Sequence, residues 1–246
     1  MNVRLVDVMG NDAAIVQAAR ISYGDGTKTV SEDRGLIRFL MRHRHTTPFE
    51  MVAFKFHLRM PIFVARQWLR HRTAAVNEYS ARYSIVPDDY WVPDKFRKQS
   101  DMNKQCSTGE FENEDLKKRM NVSCEEAFQL YDDLLEAGCS RELARSHLPQ
   151  STYTEFYWNI NLHNLLHFLE LRMDSHAQPE IQEYAKAVYE LIKPVIPLTV
   201  EAFEDFRLTK MYLSRLEIEA IRDGRKEIPG QGENREFQEK LKSLGL

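Results

Sequence analysis

The sequence predicts an α+β chain built around a single core. Two patterns carry this expectation. Val52, Phe54, Phe56, Leu58 and Met60 alternate strictly with Ala53, Lys55, His57 and Arg59, as a half-buried strand requires, and several other stretches repeat their apolar residues at helical spacing. A third observation is size and balance: 246 residues, 43% hydrophobic and 29% charged, suffice for one sizeable core, with no internal repeat and no second core.

Taken in order, Val3, Leu5, Val6 and Val8 form a short β-branched strand, and Gly10-Asn11-Asp12 turn the chain into a helix through Arg20. Leu36, Ile37, Leu40 and Met41 share a helical face from Ser31, the expected cap, to about His43. A basic turn, Arg42-His43-Arg44-His45, precedes Thr46-Thr47-Pro48-Phe49-Glu50 and then the alternating strand. Pro61 ends that strand and serves as the first residue of a helix carrying Ala65, Trp68, Leu69 and Arg72, so that Gln67 and Arg70 share a face. Asn77 to Tyr83 are expected in a loop able to wrap a ligand. Residues 84–112, with Pro87, Pro93 and no sustained period, read as a long loop or insertion. A helix capped near Asn113 ends near Gly138, and Ser140 opens another that stops at Pro149. Thr152 to His176 reads as one strongly helical stretch with Leu162, Leu165, Leu166, Leu169 and Met173 on its buried stripe. Helices over 180–192 and from about Thr199 follow, giving a domain over 1–220, and 221–246 reads as a peripheral charged tail.

Charge narrows the function. The formal net charge is −3, which argues against a general nucleic-acid binder, and no segment approaches the roughly 20 apolar residues that a bilayer crossing needs. Cys106, Cys124 and Cys139 form an odd set without CxxC spacing, which fits a reducing cytoplasm. Against this acidic background Arg66 to Tyr83 holds Arg66, Arg70, Arg72 and Arg82 with a single carboxylate, Glu78, for a local charge of +3. Clustered guanidiniums repel unless an anion sits among them, and arginine grips phosphate or carboxylate through paired hydrogen bonds. His71, Asn77, Ser80 and Tyr83 add short-range donors and acceptors, which suits a polyfunctional ligand. A solvated face would more often be Lys/Glu-rich and helical in period.

Arg70-His71-Arg72, Asn77-Glu78, Ser80 and Arg82-Tyr83 together resemble the RHRxxSxNExSxRY motif of the flavin-dependent thymidylate synthases, with Ala75 where that family usually has serine. His45-Thr46-Thr47-Pro48-Phe49-Glu50 is similar to a second block of the family. A third is Asn161-Leu162-His163, His167, Leu171-Arg172 and Asp174-Ser175-His176-Ala177-Gln178, with His163 where arginine is usual. The resemblance covers about residues 4 to 205. It implies an α+β fold with a mainly antiparallel sheet and a helical layer, and a single-domain subunit of a homotetramer whose active sites are shared between subunits. It further implies an FAD-dependent methyltransferase that makes dTMP from dUMP, with methylene-tetrahydrofolate as carbon donor and NADPH as reductant. Carried onto matching positions, the family's dUMP contacts are Gln67, Trp68, Leu69, Arg70, Glu78, Tyr79, Ser80, Ala81, Arg82, Arg145 and Arg172. Its FAD contacts are Ser22, His45, Thr47, Arg70, His71, Arg72, Asn77, Glu78, Asn161, His163 and His167. Arg172 and Ser80 are the catalytic expectations, Ser80 as an orienting hydroxyl because no His or Asp stands at triad-like spacing. None of the cysteines sits in the Pro-Cys-His setting of cysteine-dependent synthases, so another activator of the uracil ring is required, and a guanidinium at its carbonyl edge can serve.

Two other classes are set against this reading. His163 and His167 stand four apart on a helix and could begin a metal site of a hydrolase with His71 or His176, although no third ligand is evident and no metal is expected. The arginine stretch could also serve a small RNA-binding module.

Overall fold

The computed structural model describes residues 2–21, 30–101, 104 and 106–246. Its chain forms two compact units, Met1–Phe203 and Glu204–Leu246. In the first, strands β1 (Asn2–Met9), β2 (Ala53–Pro61), β3 (Ala75–Glu78) and β6 (Tyr153–Asn161) make an antiparallel sheet in the order β1-β2-β6-β3. β2 and β6 pair without interruption from Ala53↔Asn161 to Pro61↔Tyr153, whereas β1 shifts register between Leu5 and Asp7. Alternation decides which face is buried: Phe54, Phe56, Leu58 and Met60 of β2 and Phe156, Trp158 and Ile160 of β6 are all at most 2% exposed.

Helices cover that face. α4 (Ile62–Trp68) follows β2 directly, α7 (Leu162–Arg172) follows β6 directly, and α8 (Pro179–Ile192) packs on both and on β1. Trp68 is the hub, with its ring centroid 4.3 Å from Phe168 and 5.0 Å from Trp158. α1 (Asp12–Arg20), α2 (Val30–Arg42), α3 (Thr47–Glu50) and α9 (Pro197–Phe203) form a second helical group. Arg34 and Arg38 of α2 both reach Glu201 of α9 there. α5 (Glu114–Glu136), capped by Asn113 and ended by Gly138 at φ +82°, packs with α6 (Arg141–Ala144). Val86, Phe128, Tyr131 and Ala144 form their small core, where Tyr131 Oη accepts the Val86 N–H at 3.0 Å.

Several expectations need correcting. Thr152 to Asn161 is not helical: it supplies β6, the strand joining β2 to β3, and the helix begins only at Leu162. The alternation of Thr152, Thr154, Phe156, Trp158 and Ile160 carries the strand, but aromatic and amide residues on the open face blur its polar half. Asn77 and Glu78 lie not in a loop but in β3, an edge strand exposed along its length. Within 84–112 a hairpin forms from β4 (Phe96–Gln99) and β5 (Ser107–Phe111), and the segment before it is tied to the β6 end by a Tyr90↔Thr152 bridge. The helix of residues 31–43 already runs at Val30, so Ser31 is not its cap. Pro61 is the N-cap of α4 in an extended conformation rather than its first turn, and α4 ends at Trp68, so Arg70 and Arg72 lie beyond it.

The break expected at residue 220 falls inside α10 (Arg215–Arg222), which with α11 (Gln231–Leu244) belongs to the second unit. That unit has its own small core of Ala220, Ile228, Phe237 and Leu241, so residues 221–246 are more than a charged tail. Ser214 and Glu217 form a reciprocal capping box on α10, and Lys240 of α11 pairs with Glu217 at 2.7 Å. Among the described residues no helix is long and apolar enough to cross a membrane.

Candidate active site

α4 and α7 both leave the sheet without a linker, and this brings residues 101 positions apart into contact. The Arg172 Nε–H donates to His71 Nε2 at 2.9 Å, and its Nη2 reaches the Gln67 carbonyl at 3.4 Å. Because a guanidinium can only donate, His71 accepts at Nε2 and carries any proton of the neutral ring on Nδ1. Burial, then the Arg172 charge, then His167 push the His71 pKa down from 6.5 to about 4, so the ring is neutral at pH 7. Phe168 lies edge-on to it at 4.9 Å and His167 at 6.3 Å. Burial also lowers the Arg172 pKa from its usual high value, and the group stays a cation. Its Nη1 has no protein partner among the described residues.

Around this couple the expected residues fall into three groups. Gln67, His71, His167 and Arg172 are together, and the Gln67 amide continues into a hydrogen bond with Gln178. Glu78, on edge strand β3, accepts from Thr154 Oγ1 at 2.6 Å. The third group is the turn after β3: Ser80 accepts from Tyr83 and Ser84 through its carbonyl, and its Oγ accepts from the Arg82 N–H at 3.4 Å. Tyr79 Oη donates to the Ile85 carbonyl at 2.6 Å, and Arg141 donates to the Tyr83 carbonyl at 2.7 Å. Arg82 meets Glu142 at 3.3 Å with both side chains more than half exposed. Arg70, Arg72, Asn77 and Arg145 are exposed as well. Among the described residues no hydrogen bond or ion pair links Arg82 or Arg145 to the Arg172 group.

Several of the expected positions also have structural roles or differ in exposure. Trp68 is fully buried, backbone included, and Ala81 packs against the Val86 and Phe128 cluster while Leu69 is half-buried. Asn161 caps α7, its Oδ1 accepting the Asn164 N–H at 3.0 Å. His163 is half-buried and His167 exposed on the same helix. Among the described residues no group of three or more His, Cys, Asp or Glu could hold a metal ion. Cys106 and Cys139 are half-buried, Cys124 is buried, and all three are free thiols.

His45 and Thr47 line a separate cavity of about 620 Å³ walled by Ala18, Ile21, Leu36, Phe39 and Met51. Apolar walls with a few polar groups suit a flat aromatic ring system, so these residues fit a flavin. Ser22, the remaining flavin expectation, lies outside the described residues. Thr154, Gln178, Glu180 and Arg97 were missed as site residues. Gln178 closes the third resemblance block and Glu180 lies two residues beyond it, whereas nothing in the sequence joins Arg97 to either.

The antiparallel sheet with its helical layer, and a half-buried arginine held by a neutral histidine, define an α+β chain with a preorganised cationic site. A UMP/dUMP methylase from Streptomyces cacaoi, solved with 5-Br dUMP, superposes with a TM-score of 0.78 at 38% identity, covering 84% of this chain and 96% of that one. The family follows from sequence. Residues 4–198 match the family described as thymidylate synthase complementing protein. The flavin-dependent thymidylate synthase of Thermus thermophilus is 53% identical over 244 residues, 99% of this chain and 88% of that protein. That of Dictyostelium discoideum is 54% identical over 238 residues, 95% of this chain and 78% of that protein. The chain belongs to the flavin-dependent thymidylate synthase family, and so is an enzyme of the methyltransferase class.

Proposed function

We propose that this enzyme converts dUMP to dTMP in the cytoplasm, with FAD bound, methylene-tetrahydrofolate as carbon donor and NADPH as reductant. The observation that carries the reading is the Arg172–His71 couple beside Gln67. Arg172 keeps a planar edge for the uracil carbonyl and ring nitrogen while its Nε is spent on His71. A ring ionised at nitrogen 3 is stabilised by that fixed charge, and the electron density this leaves at carbon 5 makes it the nucleophile toward the carbon donor. No cysteine attack at carbon 6 is needed, in keeping with three thiols whose hydrogen bonds, among the described residues, go to groups of His176, Ser151 and Ser140. His45, Thr47, His71, Arg72, Asn161, His163 and His167 would hold the flavin, which supplies the reductive step when bound. Arg70, Glu78, Ser80, Arg82 and Arg145 would hold dUMP, with Ser80 orienting it, while Arg82 and Arg145 lend their phosphate-binding charge across a subunit boundary in a homotetramer.

The test is spectroscopic. A preparation with flavin absorbance that bleaches on adding NADPH, and that forms dTMP from dUMP and methylene-tetrahydrofolate, supports the reading. A protein that gains no flavin absorbance on reconstitution with FAD overturns it.

A further inference from the structure

The Gln67 amide is one end of a hydrogen-bonded chain whose other end is a partly buried ion pair. Arg97 of β4 donates through Nη2 to both oxygens of Glu180, at 2.7 and 2.9 Å, and the Glu180 side chain is only 11% exposed. Glu180 Oε2 accepts from Gln178 Nε2 at 2.8 Å. Gln178 Oε1 in turn accepts from Gln67 Nε2, and the Gln67 carbonyl receives the Arg172 Nη2.

The polarity of this chain has a physical cause. An ionised carboxylate offers acceptors only, so Gln178 must turn its NH₂ group toward Glu180 and its oxygen toward Gln67. Gln67 must then present its NH₂ to Gln178, which leaves Gln67 Oε1 as the atom directed elsewhere. An amide has nearly the same shape in either orientation, so packing alone selects weakly between the two. The carboxylate selects strongly. Arg97 keeps that carboxylate charged and aimed, since an unpaired carboxylate at this depth would be costly.

We propose that Arg97 and Glu180 are positioning residues: their ion pair sets the direction of the Gln178–Gln67 amide chain, so that Gln67 offers an acceptor oxygen to a donor group of the bound nucleotide. The proposal rests on the dUMP reading above. It gives the β4–β5 hairpin, through Arg97, a part in substrate affinity.

The double exchange Arg97→Glu/Glu180→Arg separates this role from a merely structural one. It preserves the ion pair but places a donor where Gln178 meets an acceptor, so both amides must reverse and Gln67 must present NH₂. The expected result is a dUMP dissociation constant, measured by calorimetry on the flavin-loaded enzyme, about tenfold weaker than wild type, the scale of one misdirected hydrogen bond. KM for dUMP rises in parallel, with kcat at saturating dUMP within about threefold and a melting temperature close to wild type. Arg97→Lys keeps the carboxylate and its direction, and should bind dUMP nearly as wild type does. Should the exchange fail to fold, Glu180→Gln lets the chain run either way at constant volume, and an intermediate loss of affinity is expected. Wild-type affinity in the folded exchange, or in Glu180→Gln, overturns the proposal while leaving the dUMP reading intact. Absence of dUMP binding by the wild-type enzyme overturns both.

Discussion

Arg172 and Arg82 are the same side chain in opposite circumstances. Arg172 is half-buried, ties its Nε to a neutral imidazole at 2.9 Å and stands on a helix that grows out of the central sheet. Arg82 stands in an exposed turn after an edge strand, meeting Glu142 at 3.3 Å where water screens both charges. A guanidinium fixed before the ligand arrives costs no reorganisation when charge develops, which suits a reacting ring. One that waits in solvent can close on a phosphate, which needs charge more than angle. Under the proposed function, the first serves the chemistry and the second serves capture.

The sharpest way to break that contrast is Arg172→Lys. The charge survives but the planar fork does not, so dTMP formation should fall by about 100-fold or more, the range seen when one preorganised donor is lost. NADPH oxidation by bound flavin should fall far less. Equal losses in both rates would make Arg172 structural. Arg82→Lys should behave differently, raising KM for dUMP by about tenfold and regaining most of its rate at saturating dUMP, since a point charge still serves a phosphate. A kcat defect that saturation leaves untouched would merge the two roles.

The third effect is smaller and depends on pH. His71 has a folded-state pKa of about 4 against 6.5 in the free side chain, so the unfolded chain takes up a proton that the folded one refuses. The neutral His71–Arg172 bond is fully available above pH 6.5, and stability should decline as pH falls from there toward 4. His71→Gln keeps an acceptor but cannot titrate, and its melting temperature should fall less steeply than wild type between pH 7 and 5. Parallel slopes in the two proteins would dissociate His71 from the acid limb. Smallest of all is the triple replacement of Cys106, Cys124 and Cys139 by serine, which should leave dTMP formation within about twofold, allowing for the loss of the buried Cys124 thiol. A folded variant without activity would return a thiol to the mechanism.

The same contrast explains what could be read in the chain itself. β2 and α5 were legible because each carries its own local signal, strict alternation in one case and Asn113 with Gly138 in the other. β6 was not, because the leucine stripe of α7 follows it without a break and Tyr153, Tyr157 and Asn159 disguise its open face. β3 has four exposed residues and exists only through its pairing with β6. Arg172, His71 and Gln67 could each be singled out from the sequence through the resemblance. That Arg172 rests on His71, or Gln67 on Glu180 through Gln178, is a matter of tertiary closure between residues about a hundred positions apart, which no local pattern encodes.

Asn161 is at once the last residue of β6 and the cap of α7, so strand and helix share a residue with no slack between them. Each α-helical residue turns its neighbour by about 100°. Deleting or inserting a single codon at this junction would therefore swing the whole of α7, carrying Arg172 to another side of the helix from His71 while the strand kept its own pairing. A library of one-residue indels along the chain should show the 160–163 segment as one of its least forgiving stretches for dTMP formation, through a rotation rather than a lost side chain.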